Sequence, residues 1–130
     1  MIWDGVTKNF SLLIKSEYTN FTTDRLPIAI LKGLKPGNYK VRLLLSDFSD
    51  VPMKSQPWIL QVQDQLAQVL LKDMATKVVN NNSNFYTFDS VTVDPDGYLY
   101  ITQYWQTAPT SEPGYSRISP ICIIEIEKIN

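Results

Sequence analysis

The chain has 130 residues and a formal net charge of -1, so it has the size of one ordinary domain and lacks the basic surface typical of nucleic-acid binding. Hydrophobic residues make up 44% and charged residues 19%, the balance of a folded domain. With no histidine and one cysteine, the chain cannot form an internal disulfide, a Ser-His-Asp triad or a Cys-His triad.

The first half of the chain contains three stretches that predict strands. Residues 10–15 and Leu26–Leu31 are short apolar runs, and the second precedes a turn at Lys35-Pro36-Gly37. Residues Tyr39–Ser46 then alternate between apolar and polar side chains, which predicts a strand with one solvated face. We expect the strand before this turn to connect across it to the strand that follows.

The stretch from Trp58 to Val79 admits two interpretations. Its beginning alternates like a strand, with Trp58, Leu60 and Val62 on one side. From Asp64 onward the apolar residues follow helical spacing, and the residue types favour a helix over 64–79. The alternative is a pair of strands that turns at Asp64-Gln65.

The sequence Asp94-Pro95-Asp96-Gly97 is the clearest turn signal in the chain. Strand-like runs flank it, Phe85–Val93 before and Tyr98–Trp105 after, so we predict a β-hairpin. Because side chains alternate across a strand, the face that carries Leu99 and Ile101 should contact the core. The opposite face, with Tyr98, Tyr100, Thr102 and Tyr104, should then be partly exposed.

The last predicted strand is Ile121–Ile129, whose glutamate and lysine residues suit an edge position. Cys122 falls in an apolar run and is expected to be a small buried residue. Two long loops, 46–57 and 107–120, are either functional loops or ordinary crossovers between sheets. Together these elements predict one mainly β domain over 1–130, an antiparallel β-sandwich of jelly-roll type with one short helix at most.

The sequence contains few residues or motifs that could support catalysis or metal binding. The glycines are scattered singly, so no phosphate-binding loop is present, and one cysteine without histidine does not make a tetrahedral zinc site. Carboxylate pairs could support glycoside hydrolysis, but each candidate acid is explained as a turn former or a solvated strand residue. These candidates are Asp89, Asp94, Asp96, Glu112, Glu125 and Glu127. We therefore expect no enzyme activity, no cofactor and no bound metal.

Calcium is the one metal worth weighing, because Asp94-Pro95-Asp96-Gly97 and the pair Asp47 and Asp50 are rich in carboxylates. Neither matches the spacing of an EF-hand loop, and the first is explained as a turn. No apolar run in the chain approaches the length of about 20 residues that spans a bilayer. The N-terminus shows no signal-peptide pattern.

Two sequence stretches resemble known families. Residues 33–41, Gly-Leu-Lys-Pro-Gly-Asn-Tyr-Lys-Val, resemble a corner common in β-sandwich modules, including fibronectin type III domains. Residues 91–105 resemble jelly-roll modules in tail and baseplate proteins of phages that infect Gram-positive bacteria. Modules of that kind commonly recognise cell-wall saccharides, so the resemblance implies action at a virion or extracellular surface.

Aromatic residues near position 100 are the candidate binding residues. Aromatic rings stack on the C–H faces of sugars while neighbouring amides bond the hydroxyls. The predicted ligand-binding residues are Tyr100, Gln103, Tyr104, Trp105 and Tyr115. The alternative is that Trp105 belongs to the core and the tyrosines form ordinary cross-strand pairs.

These observations favour a non-catalytic carbohydrate-binding module of a phage tail or baseplate, with a saccharide as its ligand. The alternative is a structural module that acts in oligomerisation or virion assembly, with other virion proteins or copies of itself as partners. Neither interpretation involves nucleic acid or membrane insertion.

Overall fold

The computed structural model describes residues 2–11, 27–46, 58–70, 83–105 and 121–130, and within them the chain forms nine strands and no helix. The strands are β1 (Ile2–Asp4), β2 (Asn9–Ser11), β3 (Pro27–Lys32), β4 (Gly37–Leu45), β5 (Trp58–Val62), β6 (Gln65–Val69), β7 (Tyr86–Val93), β8 (Leu99–Trp105) and β9 (Ile121–Lys128). The mainly β prediction is confirmed. In these same ranges no helix exists that could cross a membrane.

The strands form two sheets. The larger sheet has six strands in the order β2-β1-β3-β8-β5-β6, and the smaller has three in the order β7-β4-β9. Neighbouring strands are antiparallel except β1 and β3, which run parallel, so the expectation of a wholly antiparallel fold is wrong at this one pair.

Alternating side chains from both sheets build one core, which gives the fold its sandwich-like character. From the smaller sheet the core takes Tyr39, Val41, Leu43, Leu45, Tyr86, Phe88, Val91 and Val93. From the larger sheet it takes Ala29, Leu31, Trp58, Leu60, Val62, Val69, Leu99 and Ile101. Removing these apolar side chains from water is the main favourable term in folding. The predicted inward face of Leu99 and Ile101 is confirmed.

The predicted hairpin at Asp94–Gly97 is wrong. The turn itself forms, because the Gly97 N–H donates to the Asp94 carbonyl oxygen at 2.9 Å. However, β7 pairs with β4 in the smaller sheet, whereas β8 pairs with β3 and β5 in the larger sheet. The turn is therefore a corner at which the chain passes from one sheet to the other.

Residues 33–36 make a second corner of the same kind, between β3 in the larger sheet and β4 in the smaller. The two corners touch, since the Leu34 N–H donates to the Gly97 carbonyl oxygen at 3.1 Å. The Tyr39 hydroxyl donates to the Lys35 carbonyl oxygen at 2.7 Å and anchors the second corner. The connection predicted across Pro36-Gly37 thus exists, but the strands it joins do not pair.

For part of the stretch from Trp58 to Val79, the structure decides between a helix and a pair of strands. Residues 65–69 form β6, which pairs with β5 from Trp58↔Val69 to Val62↔Gln65. The strand pair is confirmed here and the helix is wrong for these residues, because pairing with β5 outweighs their intrinsic helix propensity. Residues 71–79 lie outside the described part of the chain.

Cys122 is exposed, which contradicts the expectation of a buried residue. Strand β9 pairs Leu44 with Ile123 and Leu45 with Ile121, so the register shifts and Cys122 is the extra residue of a β-bulge. Ile121, rather than Cys122, then packs against the core. The remaining alternation is as expected, with Ile124 and Ile126 packed on the core.

Candidate functional site

Tyr98 and Tyr100 form an aromatic pair on the face of the larger sheet that points away from the core. They are two residues apart on one side of the chain, and their rings stack with centroids 5.7 Å apart and planes at 6°. Both side chains are half-buried, so each ring retains some exposed surface. The prediction that this face is partly exposed is confirmed for its three tyrosines, whereas Thr102 on the same face is buried.

A groove of about 420 Å³ lies beside the tyrosine pair. It is lined by residues of the outer face of the larger sheet, of the β5–β6 turn, of the end of β7, and of the corner between β7 and β8. The lining residues are Gln61, Gln63, Asp64, Thr92, Asp94, Asp96, Tyr98, Tyr100 and Thr102. We call this set the tyrosine groove. It combines an aromatic surface with amides, hydroxyls and carboxylates.

The groove exists because β5 pairs with β8. Their register sets Val62 opposite Ile101 and Gln61 opposite Thr102, so the turn that follows β5 lies beside the start of β8. At that turn Gln63 adopts a left-handed backbone conformation with φ of 55°. The corner Asp94–Gly97 reaches the same place from the other sheet.

The side-chain amide of Gln63 joins the turn to the corner. Its Nε2 donates to the carbonyl oxygens of Thr92 at 3.0 Å and Tyr98 at 2.9 Å. Its Oε1 accepts the N–H of Tyr100 at 2.9 Å. Both amide hydrogens and the amide oxygen are therefore engaged by the protein backbone. The Gln63 side chain therefore stabilises the backbone around the tyrosine groove, and the rings of Tyr98 and Tyr100 point outward from it.

Three carboxylates give the tyrosine groove a negative character. Asp64 comes from the β5–β6 turn, and Asp94 and Asp96 come from the corner; all three are exposed. The Asp96 carboxylate accepts the Tyr98 N–H at 3.3 Å. None of the lining residues that the structure describes is a lysine or an arginine. Within the described ranges, no three carboxylate, cysteine or histidine side chains converge in a way that would hold a metal ion.

The structure separates the residues predicted as the binding site. Tyr100 lines the groove. Tyr104 lies farther along the same outer face, opposite Ile59, and does not line the groove. Gln103 and Trp105 alternate onto the other face, and Tyr115 lies outside the described residues.

Trp105 is part of the core packing. Its ring meets that of the fully buried Trp58 edge to face, with centroids 6.3 Å apart and planes at 80°. The two tryptophans are direct cross-strand partners on β8 and β5. This geometry is a favourable arrangement for an aromatic pair, and it places the half-buried Trp105 against the core.

Sequence reasoning missed most of the groove. The sequence places Tyr98 on the outer face but not in the predicted site. Asp94 and Asp96 are weighed for glycoside hydrolysis and for calcium, and are then explained as turn formers. Gln63 and Asp64 fell in the stretch whose secondary structure was open. The signal that could have found the site is the run Asp96-Gly97-Tyr98-Leu99-Tyr100, in which a carboxylate and two same-face tyrosines are adjacent.

A second depression, of about 560 Å³, lies over the outer face of the smaller sheet and carries paired charges. Arg42 forms an ion pair with Glu125 at 2.9 Å and lies over the Phe85 ring, 4.1 Å from its centroid. Lys40 is the cross-strand partner of Glu127. Its charges are matched within the protein, and an exposed ion pair of this kind contributes little to stability.

Comparison with protein families, with curated proteins and with solved structures found no match for this chain. The fold and the tyrosine groove therefore carry the functional argument.

Proposed function

We propose that this protein is a non-catalytic carbohydrate-binding module whose ligand lies in the tyrosine groove. The observation that carries the proposal is the stacked pair Tyr98 and Tyr100 beside three carboxylates. Saccharide sites combine an aromatic surface, which contacts the C–H face of the sugar, with polar groups that bond its hydroxyls. Of the predicted binding residues, the proposal keeps Tyr100, and it adds Tyr98 and the three carboxylates.

The polar lining suits hydroxyl recognition. Carboxylates accept hydrogen bonds only, and charge-assisted bonds of this kind are stronger than neutral ones. Asp64, Asp94 and Asp96 are exposed and can accept from sugar hydroxyls. The Thr92 hydroxyl donates to Asn38 Oδ1 at 3.0 Å and can also accept from a sugar. Because Gln63 already bonds three backbone groups, it contributes rigidity rather than a contact with the ligand.

The exposure of the carboxylates favours binding over hydrolysis. A glycosidase needs one carboxylic acid that stays protonated near neutral pH, and burial in an apolar site is the usual cause. Asp64, Asp94 and Asp96 all face solvent. We therefore propose recognition without chemistry at this groove.

The test is a screen of the full chain against immobilised bacterial surface glycans, followed by titration of the best binder. We expect Tyr98→Ala and Tyr100→Ala each to weaken binding about tenfold, the equivalent of about 1.4 kcal/mol. Tyr104→Ala is the matched control, because Tyr104 is on the same face of β8 but outside the groove. The proposal fails if no glycan binds, or if Tyr104→Ala weakens binding as much as the two groove variants.

We further propose that the domain is of jelly-roll type and serves host recognition in a phage tail or baseplate. The support is the resemblance of residues 91–105 to such modules. Antibody against the domain should label the tail tip of purified particles and block their adsorption to cells. Labelling of no particle component would reject this placement.

The alternative proposal is a module for oligomerisation or virion assembly. The observation in its favour is that β9 lies at the edge of the smaller sheet among the described strands. Ile123 on β9 is 43% exposed, and Ile129, just after the strand, is 44% exposed. Such an edge can pair with a strand of another chain, although Glu125, Glu127 and Lys128 oppose this. Sedimentation over a range of concentrations decides: self-association lost in Ile123→Lys supports assembly, and a monomer throughout contradicts self-assembly.

A further inference from the structure

The charge of the tyrosine groove distinguishes among classes of saccharide. Its three carboxylates come from two separate elements, the β5–β6 turn and the corner between the sheets, so the fold gathers them on one surface. Among the described residues that line the groove, no lysine or arginine balances them. The two outer-face cations of β4, Lys40 and Arg42, lie on the smaller sheet opposite Glu127 and Glu125.

We infer that the groove selects amino sugars that carry a protonated amine, binds neutral sugars more weakly, and rejects sugars that carry carboxylate or phosphate. This inference rests on the proposed function and names the chemical class of its ligand. An anionic sugar would bring its charge close to these three carboxylates, and the described part of the lining contains no cation to compensate, which is unfavourable. A protonated amine would instead gain hydrogen bonds to ionised carboxylates.

The tyrosine pair supports the same preference. A cation near the face of an aromatic ring is attracted by the ring quadrupole. Tyr98 and Tyr100 stack on one another and share the groove with Asp64, Asp94 and Asp96. A sugar that lies against these rings therefore presents its amine to π-electron density and to carboxylate oxygens together.

The experiment compares three hexasaccharide probes by calorimetric titration of the full chain: a glucosamine oligomer, its N-acetylated neutral counterpart, and a galacturonate oligomer. The titrations are run at about pH 5, where the glucosamine amines are protonated. We expect the glucosamine oligomer to bind at least about tenfold more tightly than the galacturonate oligomer. The preference should shrink when the salt concentration rises, because exposed charges are screened.

The variant that tests the cause is the triple change Asp64→Asn, Asp94→Asn and Asp96→Asn. Asparagine keeps the side-chain oxygen that accepts the Tyr98 N–H, so the corner should stay intact. We expect the triple variant to bind the charged probes with similar affinity. Asp89→Asn is the control, because Asp89 is exposed on β7 and does not line the groove.

Three outcomes would overturn the inference. The galacturonate oligomer could bind as tightly as the glucosamine oligomer, the neutral oligomer could do so, or the preference could persist in the triple variant. In each case binding of the neutral probe, sensitive to Tyr98→Ala, would leave the proposed function standing. If none of the three probes binds, the inference is overturned, and the glycan screen then decides the proposed function separately.

Discussion

Gln63 has the most demanding role of any single residue near the site. Its left-handed backbone turns the chain between β5 and β6, and its amide bonds the backbone of two other elements. Each such hydrogen bond contributes about 1 kcal/mol to stability, and a buried group left without its partner costs more. The position therefore requires both a tolerated turn conformation and a side chain that donates twice and accepts once.

We predict that Gln63→Glu lowers the free energy of unfolding by about 2 kcal/mol, because a carboxylate cannot donate to the carbonyl oxygens of Thr92 and Tyr98. Gln61→Glu is the matched control, since the Gln61 amide donates one bond, to the Gln63 carbonyl oxygen. Urea denaturation of both variants measures the difference. Equal losses would show that the Gln63 network does not hold the turn to the corner.

Gly97 makes the contact between the two corners possible. Its φ is +79°, and a Cβ at this position would lie 2.9 Å from the Leu34 carbonyl oxygen. A left-handed conformation costs a non-glycine residue about 1 kcal/mol or more, and the backbone clash adds to this cost.

We predict that Gly97→Ala destabilises the protein by about 2 kcal/mol. Gly5→Ala should cost less, because the nearest atom to a Cβ there is 3.2 Å away and its backbone is not left-handed. Thermal unfolding followed by circular dichroism compares the two variants. A tolerated Gly97→Ala would contradict the packing of the two corners.

The Asp4 carboxylate accepts hydrogen bonds from the backbone of the turn that follows β1. Its Oδ1 accepts the N–H groups of Val6 at 2.9 Å and Thr7 at 3.3 Å in the turn between β1 and β2. The bond from Val6 is the largest cause that holds the pKa of Asp4 below its ordinary value of 3.8, and Thr7 and Lys32 act in the same direction. The folded state therefore favours the ionised carboxylate.

The pH dependence follows from this direction. A lowered folded pKa contributes stability above the ordinary pKa of 3.8, and that contribution is lost as pH falls through the folded pKa. We predict that the stability difference between the wild type and Asp4→Asn narrows between about pH 6 and about pH 3. Urea midpoints across that range measure it. A difference that stays constant would show that the Asp4 carboxylate does not interact with the turn.

Strand β9 illustrates how one extra residue changes an element. Perfect alternation over 121–126 would direct Cys122, Ile124 and Ile126 to the same side. The bulge between the pairs at Leu44 and Leu45 moves Cys122 out of that series. Its Sγ lies 3.7 Å from the Ser46 carbonyl oxygen, at the end of β4.

We predict that Cys122 reacts with a thiol reagent in the native protein at a rate within about tenfold of that in denaturant, because reaction requires access to the sulfur. The Cys122→Ser variant has no thiol and gives the background signal of the assay. Reaction only after unfolding would mean that Cys122 is buried and that the bulge is misplaced.

At the scale of the whole molecule, local pattern predicted strands well and strand partners poorly. Alternation over Tyr39–Ser46 and after Gly97 located β4 and β8 and their inward faces, because one buried face leaves a period of two in the sequence. The Asp-Pro-Asp-Gly turn, however, suits a hairpin and a corner equally. The choice depends on pairing of β8 with β3 and β5, which local sequence does not encode.

The same limit explains the candidate site. Tyr100 was predicted because aromatic residues cluster on β8, and it does line the groove. Trp105 was grouped with it through proximity in sequence, although alternation directs it to the core. Gln63 and Asp64 come close to Tyr98 only because β5 pairs with β8. The local sequence pattern does not predict this pairing, so it does not predict a groove built from distant segments.

The most direct test of the central claim is a chemical-shift titration of the isotopically labelled protein with the best-binding oligosaccharide from the glycan screen. We predict that the perturbed amides concentrate at Gln63, Asp96, Tyr98 and Tyr100, while those of Lys40, Arg42 and residues 123–127 stay unchanged. Perturbations centred on β9 or on the outer face of the smaller sheet, or none at saturating saccharide, would contradict binding in the tyrosine groove.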